Sequence, residues 1–439
     1  MSTFTPHTGE DISVMLDDLG ISSVDDLYNT IPGELRLTSP LNIPDGISEV
    51  EVIEELTHIA RSNKPARGAL VSFAGGGAYD HDLSAAARAL GAQPAFVTAY
   101  TPYQPEVAQG VLQALFEYQT LVARLFGLPI ANASLYDGAA SLVEAVNLSV
   151  GYTKRTRILL SDGVNPRYRQ TLATFAKGSS LEIVALGLED DLLTIRGAQL
   201  SEAAAVVIGY PNFYGTVEDI GYFADLAHGI GALLVVVADP LALGILKSPG
   251  DFGADIAVGE GQSLGLPLSY GGPYLGLFAT KTDYVRLIPG RLVGETQDLE
   301  GKRAFVTTLR TREQDIRREK ATSNVCTNQT LMAIQAAIHM SWLGKEGFQA
   351  LSRRNFDAAH YLAARLRAIG IEIVNPQFFR EFTVRISDAE GLRNRMLDHG
   401  FLAGVLSDRA KDLLVLTATE ARTQDQIDSF AEALSKELR

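Results

Sequence analysis

The 439-residue chain has a single cysteine, Cys326, so no internal disulfide can form. That suits a reducing compartment and makes a cytoplasmic location the expectation. No uncharged apolar run reaches the ~18 residues a membrane span needs. The Thr- and Asp-rich start lacks a basic segment followed by an apolar one, so neither a span nor a signal peptide is expected. Net charge is −14 and no tract is strongly basic, which makes nucleic acid a poor partner. No H-x-x-x-H pair or cysteine cluster offers a metal site. The glycines Gly75 to Gly77 do not form a G-x-G-x-x-G fingerprint, and no acid follows at the right distance, so a nicotinamide cofactor is disfavoured. Asn-x-Ser/Thr triplets at Asn132, Asn147 and Asn328 are read as chance.

Hydrophobic residues make up 46% and charged residues 21%, the balance of a globular protein. The length allows two or three structural units. One stretch, Phe96 to Ser141, organises the rest. Its first loop holds Tyr100 and Tyr103 beside Pro102, Gln104 and Pro105, and Pro105 suits a first helical position. Val107, Leu112, Leu115, Phe116, Val122 and Leu125 then recur at helical spacing, with Gly127 as the stop. A second loop, Asn132 to Asp137 with Ser134 and Tyr136 inside it, leads into Gly138 and a helix start that could hold an anion.

Residues 1–60 read as an arm of short helices, DISVMLDDLGI and SSVDDLYNTIP, lying on the main body or on another subunit. Residues 61–344 read as a large α/β domain. RILLSD, LEIVALGL, AAVVIGY, ALLVVVAD, ADIAVGE and YLGLFAT are short apolar runs separated by helical segments, the signature of a mostly parallel sheet. Ligands of such sheets sit at the carboxyl ends of strands, where Asp162, Tyr210, Asn212 and Asp239 fall. Asp239 is either a buried acid with a specific partner or a cap for the turn it makes with Pro240. RLVGETQDLEGKRAF suggests a hairpin, and RTREQDIRREKATSN a solvated charged face. Residues 345–439 read as a small C-terminal α+β domain.

Seven motifs carry a family likeness: AGGGAYDH, TAYTPYQPEVAQG, QALFEYQT, ANASLYDGA, GEGQSLG, PGRLVGET and RREKATSNVCTNQ. Together they resemble the first (α) subunit of the two-subunit glycine cleavage system P-protein family, over nearly the whole chain. The chain departs from the family after AYDH, where it runs DLSAAARAL instead of an aromatic or apolar residue followed by proline. The resemblance implies a fold-type I, pyridoxal-phosphate-dependent transferase-like fold. It also implies a glycine dehydrogenase (aminomethyl-transferring, decarboxylating) whose complex releases CO2 from glycine and passes the aminomethyl group to the lipoyl group of H-protein. The implied partners are the P-protein β subunit (subunit 2) and H-protein, with a functional link to T-protein and L-protein.

Pyridoxal enzymes need a lysine to carry the cofactor and an acid at its ring nitrogen. Asp239 could be that acid. In the family's other subunit a His-Lys pair follows the corresponding strand; here Gln262 and Ser263 stand at that place, and Lys247 and Lys281 do not match it. The resemblance therefore implies that pyridoxal phosphate resides on the partner subunit, and that Asp137, Gly138, Asp239, Gln262 and Ser263 mark a vestigial cofactor site. Tyr100, Tyr103, Gln104, Asn132, Ser134 and Tyr136 are then the residues expected to reach the partner's pocket. Arg317, Arg318 and Lys320 could attract the acidic H-protein, and the assembly expected is a heterodimer paired into a heterotetramer. A non-catalytic scaffold, or another fold-type I enzyme with an unexpected lysine, are the alternatives.

Overall fold

The computed structural model describes residues 7–65, 68–97, 102–196 and 202–438. By contacts the chain divides into two compact units, up to Lys64 and from Pro65 onward. In the first unit, Thr8 and Asp11 form a capping box that starts the helix Gly9–Leu19, and Gly20 ends it at φ 66°. The predicted second helix is shorter and tighter than expected: Val24–Tyr28 is a single 3₁₀ segment. A helix the periodicity reading passed over, Glu49–Ala60, starts at a Ser48/Glu51 capping box. None of the described residues of this unit is buried.

The second unit holds a seven-stranded sheet. In sheet order its strands are Ile130–Ala131, Gly276–Thr280, Ile256–Glu260, Leu233–Ala238, Ala205–Tyr210, Arg157–Ser161 and Glu182–Leu186. The last five are mutually parallel, while Gly276–Thr280 runs against both of its neighbours. All six predicted apolar runs form strands. They read as unbroken apolar runs because helices cover both faces: Val206, Val207, Ile208, Leu234, Val235, Val236 and Val258 are all fully buried.

The helix expected from Pro105 begins later, at Gln109, and runs to Phe126. Residues 105–108 are held as turns, with Val107 and Ala108 donating their N–H groups to the Gln104 carbonyl. Val107 is therefore not on the core face but 81% exposed. The buried stripe is Val111, Leu112, Leu115, Tyr118, Gln119, Val122 and Phe126, at i, i+3/i+4 spacing. Gly127 closes the helix at φ 67°. Two glutamines of this helix act as extra rungs for the hairpin Val293–Gln297/Arg303–Thr307. Gln119 exchanges hydrogen bonds with the Val293 N–H and C=O (2.9 and 3.0 Å), and Gln109 does the same with Phe305 (2.8 and 2.9 Å).

The stretch after the hairpin is not wholly solvated. Glu313 is buried in an ion pair with Arg291. Arg312 turns inward, donating to the carbonyls of Ile288 and Gly290 (2.5 and 2.7 Å). Arg317, Arg318 and Lys320 are exposed. A long helical stretch, Thr330–Ala368, breaks its helical geometry at Gly344 (φ 61°, ψ −175°). Its second half packs on a four-stranded antiparallel sheet ordered Glu372–Ile373, Glu381–Arg385, Leu413–Thr417, Val405–Leu406. The helices Ala389–Asp398 and Gln424–Glu437 complete this smaller layer.

Candidate functional site

The parallel strands end at a cleft lined by Tyr79, Asn165, Tyr168, Asp239, Glu260, Ser263, Arg380 and Glu381, among others. Asp239 leaves the strand Leu233–Ala238 partly exposed rather than buried, and it both caps a turn and meets a specific partner. Its Oδ1 caps the following turn by accepting the Leu241 N–H at 3.0 Å. Its Oδ2 lies 2.8 Å from Nε of Arg380, a charge contact rather than a straight hydrogen bond. Arg380 enters from the small layer and is only 2% exposed. Its guanidinium lies 3.6 Å over the Tyr79 ring, and its NH1 donates to His81 Nε2 at 2.7 Å. Nδ1 of His81 contacts Glu420 at 2.9 Å. Burial alone would raise the Glu420 carboxyl, yet His81, the Asp82 N–H and Asn355 outweigh it and hold it at about 2. Glu381 accepts from the Gly76 N–H (2.6 Å) and the Tyr79 hydroxyl (2.7 Å), and burial pushes its carboxyl up to about 7.

The other end of the cleft is the start of the helix Gly138–Thr153. Asp137 caps it by accepting the Ala140 N–H at 2.7 Å. The Gly138 N–H donates to Glu260 Oε2 at 3.0 Å, and Glu260 Oε1 accepts from Gln262 (3.1 Å) and Leu275 (2.9 Å). Burial pushes the Glu260 carboxyl up to about 7 against those three amides. The Tyr168 hydroxyl sits so near Gly138 that a Cβ there would overlap it. Gln262, 1% exposed, is consumed by hydrogen bonds to the Tyr79 backbone and the Leu266 carbonyl. Ser263 lines the cleft with a buried hydroxyl that has no hydrogen-bond partner.

Pyridoxal phosphate, which this fold implies, needs a lysine, free amides for its phosphate and a free acid for its ring nitrogen. No lysine lines the cleft among the described residues. The Gly138 and Ala140 amides and Asp239 are all engaged by the chain itself, so the residues present do not fit the cofactor. Lys281 is tied to Asp255 (2.6 Å), and Lys247 is exposed near the Phe252 ring. Of the other strand-end residues, Asp162 pairs with Arg169, Tyr210 is buried, and Asn212 bonds to Leu192 and Glu218. No group of three metal-ligating side chains occurs among the described residues.

The loops expected to face a partner divide by exposure. Tyr100 lies outside the described residues. Tyr103 is half-buried, with Arg291 5.0 Å over its ring, and burial raises its phenol. Its hydroxyl donates to Asn328 Oδ1 at 2.6 Å, and Asn328 Nδ2 donates to the Ala133 carbonyl at 3.2 Å, so Tyr103 braces the second loop. Asn132 donates to Pro289 (3.0 Å) and keeps a buried, unpartnered Oδ1. Ser134, at φ 134°, accepts from the Gln329 N–H. Gln104 and Tyr136 are exposed. The spacing of apolar residues did not single out Arg380, Glu381, Glu260 or Tyr168. The one local signal was charge inside apolar context: Arg380 follows two phenylalanines, and Glu260 ends a buried strand.

The sequence model for the glycine cleavage system P-protein matches residues 2–434. The chain belongs to the glycine cleavage system P-protein family. It is 44% identical over 441 residues to a Brevibacillus brevis protein named probable glycine dehydrogenase (decarboxylating) subunit 1, covering 98% of each. A Chloroherpeton thalassium protein of the same name is 45% identical over 442 residues, covering 99% of each. Among solved structures, the crystal structure of an inhibitor-bound glycine decarboxylase (P-protein) of the glycine cleavage system matches with TM-score 0.92 and 45% identity, over 99% of this chain and 100% of that one. The fold is that of the fold-type I pyridoxal-phosphate enzymes, as expected from the motifs.

Proposed function

We propose that this chain is the subunit of a heteromeric glycine decarboxylase that lacks the cofactor-bearing lysine. The observation that carries the reading is Ser263 in a cleft that no lysine lines among the described residues, within a chain that matches P-protein subunit 1 proteins over 98% of its length. Pyridoxal phosphate then belongs to the second subunit, where it supplies the electron sink for loss of CO2 from glycine. The aminomethyl group passes to the lipoyl group of H-protein. This chain's part is to complete the partner's pocket. The exposed Gln104 and Tyr136 are its available donors, while Tyr103, Asn132 and Ser134 hold the loop in place. The exposed Arg317, Arg318 and Lys320 are the basic groups offered to an acidic H-protein, and salt should weaken that attraction.

The test is co-purification. A tagged chain should bring down an untagged second subunit that carries pyridoxal phosphate, and the pair should exchange bicarbonate carbon into glycine. Full exchange by the second subunit alone would favour a scaffold role, and cofactor absorbance from this chain alone would favour an independent enzyme.

A further inference from the structure

The cleft is filled by the chain's own groups at both of the places a pyridoxal phosphate would use. At the helix start, one carboxylate, Glu260, takes three backbone N–H groups: Gly138, Gln262 and Leu275. Such a convergence of amides at a helix N-terminus suits a phosphate, and here an internal carboxyl group satisfies it. The Tyr168 hydroxyl closes the space over Gly138. At the strand end, the acid that would meet a ring nitrogen is held by a buried guanidinium, Arg380, which is fixed in turn by Tyr79 and His81. The void that remains is about 80 Å³, room for a few waters.

We propose that the cofactor seat of this chain is self-occupied, with Glu260 standing where the phosphate would sit and Arg380 engaging the acid in place of the ring nitrogen. Restoring a lysine alone would therefore not restore cofactor uptake. The proposal rests on the reading that the cofactor belongs to the partner, but it makes a separate claim: the seat is blocked by side chains and not merely short of its lysine. Both blocking groups are tied to several backbone or side-chain partners, so a free cofactor cannot displace them without leaving buried polar groups unpaired.

The experiment uses the full chain purified with its second subunit. Native protein, Ser263→Lys, and Ser263→Lys combined with Glu260→Ala and Arg380→Ala are incubated with pyridoxal phosphate, reduced with borohydride and mapped by peptide mass spectrometry. The single variant should show no pyridoxyl group on residue 263 above the level of surface lysines, and the combined variant should gain one at least tenfold more abundant. A near-stoichiometric adduct on residue 263 in the single variant would overturn the proposal while leaving the proposed function intact. An adduct elsewhere in the native cleft would overturn both. Because the combined variant can fail to fold, Glu260→Ala alone is also melted with and without inorganic phosphate. Phosphate should raise its melting temperature by a few degrees and leave the native chain unmoved. A shift in the native chain, or none in a folded Glu260→Ala chain, would contradict self-occupation.

Discussion

Glu260 and Glu381, both in the cleft, each contribute a pH dependence that belongs to a single residue. Both carboxyls are raised by burial from 4.5 to about 7. Between those values the folded chain keeps a proton that the unfolded chain has lost, so each group costs stability as pH climbs from about 4.5 through 7. His339, lowered by burial to about 4, works the other way below 6.5. Comparison with a variant cancels such shared contributions. We expect Glu260→Gln to lose less melting temperature than the native chain between pH 5 and pH 7.5; parallel curves would show that Glu260 does not titrate there. Tyr103 and Tyr136 separate bracing from pocket roles. Tyr103→Phe loses the bond to Asn328 and should cost about 1 kcal/mol of stability along with some exchange activity. Tyr136→Phe, at an exposed position, should leave the melt unchanged and lower exchange. Full activity in Tyr136→Phe would remove Tyr136 from the partner's pocket.

The hairpin Val293–Thr307 depends on the helix Gln109–Phe126 through side-chain amides rather than apolar contact alone. Replacing Gln119 by Leu leaves the N–H and C=O of Val293 unpaired beside the helix. Each unsatisfied buried group costs about 1–3 kcal/mol, so we expect a loss of about 2 kcal/mol or more by denaturant unfolding. A change below about 0.5 kcal/mol would mean that water takes over both bonds.

At this scale much of the fold was legible. The six central strands announce themselves because burial on both faces demands unbroken apolar runs. Helix starts were less legible: Val107 fits the apolar period, but turns at Gln104 keep it outside the helix. The helix Glu49–Ala60 was as legible as the others, with a Ser48/Glu51 capping box and Val52, Ile53, Leu56 and Ile59 at helical spacing, although these residues are exposed. The cleft was half legible. Asp239 could be placed from a strand end, since local sequence sets where a strand stops, and Ser263 from the family resemblance. Arg380 and Glu260 could not, because their meaning lies in partners far along the chain; Glu260 and Gly138 are 122 residues apart.

The P-protein fold encloses a cleft whose lining does not fit the cofactor. Under the proposed function the active site is shared with a second chain, and permanent interfaces between unlike chains commonly bury about 2,000 Å² or more. We expect the co-expressed pair to run as a heterodimer paired into a tetramer; elution as two independent monomers would contradict that assembly. No helix among the described residues is long and apolar enough to cross a membrane. The decisive measurement is glycine–bicarbonate exchange, with bound pyridoxal phosphate counted, for each chain alone and for the two together. Exchange is expected only in the mixture, with one cofactor per pair and none recovered on this chain. Cofactor bound covalently to this chain, or exchange by it without a partner, would contradict the proposed function.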